Sequence, residues 1–126
     1  METYETFPTI LRADAGAFTT AKEMSKWILA LQSGKLLKQE SVAKMWNPIK
    51  LNSGQYGGFG GDLNAYALGW PVIQREKHQA LVPTGGGRAS IAVYPEDDLA
   101  VILLTNLTGI LTHEMVDEIA KFYFEG

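Results

Sequence analysis

The 126-residue sequence contains no cysteine. That excludes disulfides, thiolate zinc sites and a cysteine nucleophile. It also lacks any Lys/Arg cluster: 11 basic residues stand against 14 acidic ones, for a net charge of -3. The pI near 5.3 and the absence of a basic patch argue against a nucleic-acid partner and give no support to an anionic membrane surface. Long apolar runs are missing too. The longest, Leu99 to Leu104, is far shorter than the roughly 20 residues a membrane-spanning helix needs. The opening Met1-Glu2-Thr3-Tyr4-Glu5 has neither a basic nor an apolar signal region, so no signal peptide is expected in this chain, and its compartment stays open. There is no internal repeat, no His-x-x-x-His spacing for a metal, and no Gly-x-Ser-x-Gly elbow. Neither a metal nor a cofactor is expected.

What is present is a globular composition, 46% hydrophobic and 20% charged, at a length that suits one domain over 1–126. After an irregular stretch to about residue 18, Thr20 and Glu23 fit a capping box. Met24, Trp27, Ile28 and Leu31 then recur at helical spacing, and Gly34 fits a left-handed C-cap. This predicts a helix over about 20–32. A short second helix over about 38–46 carries Val42, Met45 and Trp46 on one face and stops at Asn47-Pro48. Asn52 to Ala65, rich in glycine, reads as a mobile loop or hairpin tip.

Three or four strands follow. Tyr66–Ile73 has strand-like content, and Gln79–Thr84 is weaker, with Pro83 marking an edge or an end. Arg88–Tyr94 and Leu99–Thr105 flank Pro95-Glu96-Asp97-Asp98 and predict a hairpin. The uniformly apolar second arm predicts a central strand buried on both faces. A last helix starts near Thr112 as N-cap, with Met115, Val116, Ile119, Phe122 and Tyr123 as its apolar side. The order predicts an α+β fold, helices packed on an antiparallel sheet of three to four strands.

Several segments, in order, resemble the C-terminal part of the serine β-lactamase and penicillin-binding-protein family. Ala15 to Trp27 is similar to the family's G-x-x-S/T-T-A-x-D/E-M-x-K-W helix start. Gly34-Lys35-Leu36-Leu37 with Glu40-Ser41 and Met45-Trp46-Pro48 resembles the next helix. Tyr66-Ala67-Leu68-Gly69-Trp70 resembles a Y-x-L-G-W strand. Thr84-Gly85-Gly86-Gly87 resembles the active-site strand, and Tyr94-Pro95 with Leu104-Thr105-Asn106 the final hairpin.

The resemblance implies a serine hydrolase performing acyl transfer or hydrolysis on an amide, ester or β-lactam. Such enzymes use a Ser-x-x-Lys nucleophile motif, a Tyr-x-Asn-like motif, and a strand reading basic residue or His, Thr or Ser, then Gly, whose following N–H completes an oxyanion hole. Only the third has a counterpart here, at Pro83-Thr84-Gly85-Gly86. By resemblance Thr84 would keep the hydroxyl and Gly86 the N–H, while Pro83 replaces the basic group. Arg88 is a candidate for holding a substrate carboxylate, against the plainer reading of a surface ion pair. On this reading the chain is a C-terminal portion, inert alone. The alternative is a non-catalytic module that keeps the fold and binds a peptide or glycan, a reading that Pro83 favours.

Other motifs have plainer explanations. Ser41-Val42-Ala43-Lys44 spells Ser-x-x-Lys, but its apolar face is Val42, Met45 and Trp46, which leaves Ser41 and Lys44 on the solvated side. His78 and His113 lack partners in sequence and read as surface residues. Glu96-Asp97-Asp98 reads as a solvated turn. Gly57–Gly61 and Gly85–Gly87 lack the Lys-Ser/Thr of a phosphate loop, and close backbone approach to a neighbouring element or a ligand accounts better for Gly85–Gly87. The expected partner is either the N-terminal portion of the same protein or a second copy in a homodimer that covers strand 99–105.

Overall fold

The computed structural model describes residues 17–86, 88–107 and 109–124. Its order is α1 (Ala21–Gln32), α2 (Gln39–Trp46), β1 (Ala65–Tyr66), β2 (Pro71–Ile73), β3 (Ala80–Leu81), β4 (Thr84–Gly85), β5 (Ala89–Tyr94), β6 (Leu99–Leu104) and α3 (Thr112–Phe124). The fold is α+β, three helices on a six-stranded antiparallel sheet.

Local chemistry sets the ends of α1. The Thr20 hydroxyl accepts from the Glu23 N–H at 3.2 Å, so one half of the capping box forms. The other half does not, because the Glu23 carboxylate pairs with Lys26 at 2.7 Å. At the C-terminus Gly34 takes φ +73°, its N–H donates to Leu31 O, and Lys35 N–H donates to Ala30 O. This is a Schellman motif, which glycine permits without steric cost.

The sheet runs β1-β2-β3-β5, and β5 also pairs with β4 and β6. β3 and β4 lie along the same edge of β5 in one continuous register, Leu81 opposite Val93, Thr84 opposite Ser90, Gly85 opposite Ala89. They are two halves of one strand interrupted at Val82-Pro83. The interruption has a simple cause. Ile91 N–H donates to Pro83 O at 3.1 Å, but proline has no N–H to return the bond.

Both faces of the sheet are covered. On one, Ile28, Leu31, Val42 and Trp46 pack on Val72, Leu81, Ile91 and Val93. The three tryptophans meet there, Trp27 stacked on Trp70 at 5.9 Å and Trp46 edge-on to it at 5.5 Å. On the other, Val116 and Ala120 of α3 pack on Ile73, Val82, Ala92 and Tyr94.

Three expectations need correction. β6, not buried on both faces, is an edge strand whose residues are partly exposed, with Ala100 and Leu104 open to solvent. β5, flanked on both sides, is the central strand. Tyr66–Ile73 is not one strand. Gly69 at φ +79° turns the chain, and Ala67 N–H closes the turn on Trp70 O at 2.8 Å. The Asn52–Ala65 stretch, by contrast, bears out the hairpin-tip reading: its turns are tied by the antiparallel bridges Lys50–Tyr56 and Gly60–Leu63 before the chain enters β1 at Ala65. Gly58 is required there, since a Cβ would lie 2.1 Å from Leu63 O. Finally, Thr112 is the first residue of α3 and is buried, its hydroxyl turned into the sheet.

Candidate functional site

The strand singled out by sequence ends at an exposed corner of the sheet. Thr84 and Gly85 are exposed, and Gly86 at φ +59° begins the turn into β5. Arg88 N–H donates to Gly85 O at 3.2 Å, and Arg88 O accepts from Thr105 N–H at 2.9 Å. The backbone of Arg88 is thus held at this corner from both sides. Among the described residues a Cβ on Gly85 or Gly86 would meet nothing within 4 Å, so close approach to a neighbouring described element does not explain these glycines. Gly86 is needed for its left-handed conformation, and Gly87 lies outside the described residues.

Alternation divides the corner between two faces. The Thr84 hydroxyl accepts from Ser90 Oγ at 2.8 Å and lies 3.5 Å from Thr112 Oγ1. The Ser90 and Thr112 hydroxyls are 2.7 Å apart. These three groups join β4, β5 and α3 on the α3 face. Pro83, opposite Ile91 in the register, belongs to the α1/α2 face. Thr84 and Pro83 therefore serve opposite sides of the sheet.

A second polar cluster lies at the other end of β5, and sequence reading missed it. Arg75 holds Asp117 through two bonds of 3.0 and 2.8 Å, and Tyr94 OH donates to the same carboxylate at 2.9 Å. Burial pushes the Asp117 carboxyl up, but the hydrogen bonds from Arg75 and Tyr94 outweigh it and leave the group below its ordinary range. Burial, then the bond to Asp117, pushes the Tyr94 phenol well up. The Arg75 guanidinium is raised by its bond to Asp117. His78, at φ +57°, pairs with Asp97 at 2.7 Å and stacks on Phe124 at 4.0 Å. His78 is thus a half-buried fastener, not a lone surface histidine, and the Asp97 side chain reaches it from within the turn. The one signal in the sequence was Asp117, an acid beside Val116 on a helix side that must face the sheet.

A family model described as Beta-lactamase matches residues 1–122. The chain belongs to the β-lactamase family. No curated protein and no solved structure gave a significant match.

In this β-lactamase family chain the Ser41-x-x-Lys44 sequence lies on α2 with both residues exposed. The helix packs its Val42 and Trp46 side inward and leaves Ser41 and Lys44 on the solvent side. His113 is half-buried on α3, away from His78. Among the described residues no group of His, Asp and Glu could hold a metal ion, and no helix is long and apolar enough to cross a membrane. Two adjoining open clefts of about 310 and 340 Å³ share Ala43, Trp46 and Pro95. They lie at the end of β5 opposite to Thr84, away from the strand the family resemblance singles out.

Proposed function

We propose that this chain supplies one wall of the active site of a β-lactamase-related serine hydrolase, a site that performs acyl transfer or hydrolysis on an amide, ester or β-lactam. The observation that carries the reading is the exposed corner Thr84-Gly85-Gly86. It ends an edge of the sheet, its side chains are small, and the Gly86 backbone is open to an incoming group. A backbone N–H at such a place can stabilise the oxyanion that develops when a nucleophile adds to a carbonyl. Thr84 is a positioning residue whose hydroxyl, tied to Ser90 and Thr112, fixes the corner. Arg88 sits in the same turn and is the candidate for a substrate carboxylate, which its planar guanidinium suits.

The nucleophile and its base come from elsewhere, and the chain by itself is inert. Sequencing the coding region upstream of Met1 tests this. An open frame that leads into Ser-x-x-Lys and a Tyr-x-Asn-like motif supports the reading. A frame closed at Met1 removes it.

Pro83 favours a second reading. It stands where the family carries a basic residue or His, and it faces the α1/α2 side with no titratable group. A chain that kept the fold and lost the chemistry would bind a peptide or glycan without turnover. Reproducible affinity without product distinguishes it from the first.

A further inference from the structure

The two adjoining clefts form one groove between α2 and the turn that joins β5 to β6. The α2 wall carries Gln39, Val42 and Trp46, which recur at i, i+3 and i+7 and so share one face of the helix. The other wall is the turn, with Pro95 common to both lobes. Asp98 lies in the lobe that holds Gln39, and Glu96 in the lobe that holds Asn47. The helix rise from Gln39 to Asn47 is about 12 Å. That length accepts about four residues of an extended chain.

The lining defines what the groove can take. Each lobe holds one carboxylate, and neither is lined by Lys, Arg or His. Glu96 and Asp98 are exposed, and among the described residues neither has an ion pair or a hydrogen bond through its side chain. The Glu96 lobe also meets the C-terminal end of α2 at Trp46 and Asn47, where the last helix carbonyls carry partial negative charge. The middle of the groove is apolar, with Val42 and Trp46 beside Pro95. Trp46 lines both lobes and is 8% exposed. Its indole N–H has no acceptor among the described residues, although buried N–H groups seldom go unpaired.

We propose that this groove binds an extended peptide segment of a partner protein that carries two Lys or Arg residues three positions apart. Three residues complete one turn of a polyproline II helix, so side chains at that spacing stand on one side, about 9 Å apart. One cation then serves the Glu96 lobe and the other the Asp98 lobe. A backbone carbonyl between them is the acceptor that the Trp46 N–H lacks. The apolar middle takes the intervening residues, a mode of recognition that aromatic-lined grooves use for proline-rich segments. Both carboxylates repel an acidic or phosphorylated segment. A wholly apolar occupant would bury them without a counter-charge. The groove lies at the other end of β5 from Thr84, so binding there stands or falls separately from the acyl-transfer chemistry proposed for that corner.

NMR titration of the isotopically labelled chain tests the proposal, with the assigned Trp46 indole N–H as the reporter. The probes are the blocked peptide acetyl-Ala-Lys-Pro-Ala-Lys-Pro-Ala-amide, the same peptide with Glu in place of both lysines, and spermidine as a free polyamine. The lysine peptide should shift the Trp46 signal, saturate, and bind at least about tenfold more tightly than the glutamate peptide. Its affinity should fall as salt is added. Replacing both exposed acids, Glu96→Gln with Asp98→Asn, should weaken it by about tenfold while the circular dichroism stays unchanged. A Trp46 signal that the lysine peptide does not move overturns the proposal. So does equal binding of the glutamate peptide, or undiminished binding by the double amide variant. Spermidine binding without peptide binding would show a site for free amines and overturn the peptide as occupant.

Discussion

Pro83 faces Ile91 at a position where the β-ladder provides for two hydrogen bonds, and only one is made, from Ile91 N–H to Pro83 O at 3.1 Å. The consequence for stability is small, because two effects oppose each other. Pro83→Ala restores a bond with a net value of about 1 kcal/mol but frees the unfolded chain by about 0.4–1 kcal/mol. Chemical denaturation should therefore place the variant within about 1 kcal/mol of wild type, with β3 and β4 joined and slower amide exchange at residue 83's neighbours. A loss of more than about 2 kcal/mol would show that the proline ring is a packing element.

The buried carboxylate gives the chain an acid-sensitive point. Asp117 titrates below its ordinary range in the folded chain, so the unfolded chain binds more protons in acid. The stabilisation is present above the usual aspartate value near 3.9 and is lost as pH falls through the depressed folded value. Asp117→Asn should flatten this acid limb. Asp117→Ala, which strands Arg75 and Tyr94, should cost about 2–4 kcal/mol at neutral pH, less than a wholly buried pair because Arg75 is partly solvated. An acid limb unchanged in Asp117→Asn would contradict the assignment. In base the sign reverses. The Tyr94 phenol is raised, so its stabilisation is complete below the ordinary value near 10 and fades above it. Tyr94→Phe should remove that alkaline loss.

The hydroxyl trio tests how firmly the candidate corner is held. Thr112→Val removes one partner of Ser90 but leaves the Thr84–Ser90 bond, so the expected cost is about 1 kcal/mol, or a fall of several degrees in Tm. Thr112→Ser should restore most of it. Equal losses for Val and Ser would mean that the methyl group, not the hydroxyl, matters.

Helix phase is checked by two adjacent positions in α1. Ile28 is 1% exposed and Leu29 is 62% exposed. Ile28→Ala should cost about 2–5 kcal/mol, and Leu29→Ala should stay within about 0.5 kcal/mol. Similar costs at both would contradict the packing of α1.

These contrasts show what the sequence could tell. Thr20 and Gly34 fix the ends of α1 through short-range chemistry, and Pro95–Asp98 fixes the final hairpin, so those features were legible. The place of a strand in the sheet was not. Leu99–Leu104 is apolar throughout whether it lies at the centre or the edge, and hydropathy does not record which neighbour is missing. The Arg75–Asp117 pair joins residues distant in the chain, and nothing local announces it. At the candidate site the Thr84 strand was readable from its motif. Its division between two faces, with Thr84 on the α3 side and Pro83 on the other, needed the register with Ser90 and Ile91.

Intact mass spectrometry after incubation with a fluorophosphonate and, separately, with a penicillin tests the central claim most directly: a β-lactamase family chain that carries the active-site strand but not the nucleophile. The account predicts an unchanged mass with both reagents. A stoichiometric adduct mapped to Ser41 would contradict it and place a working nucleophile on α2.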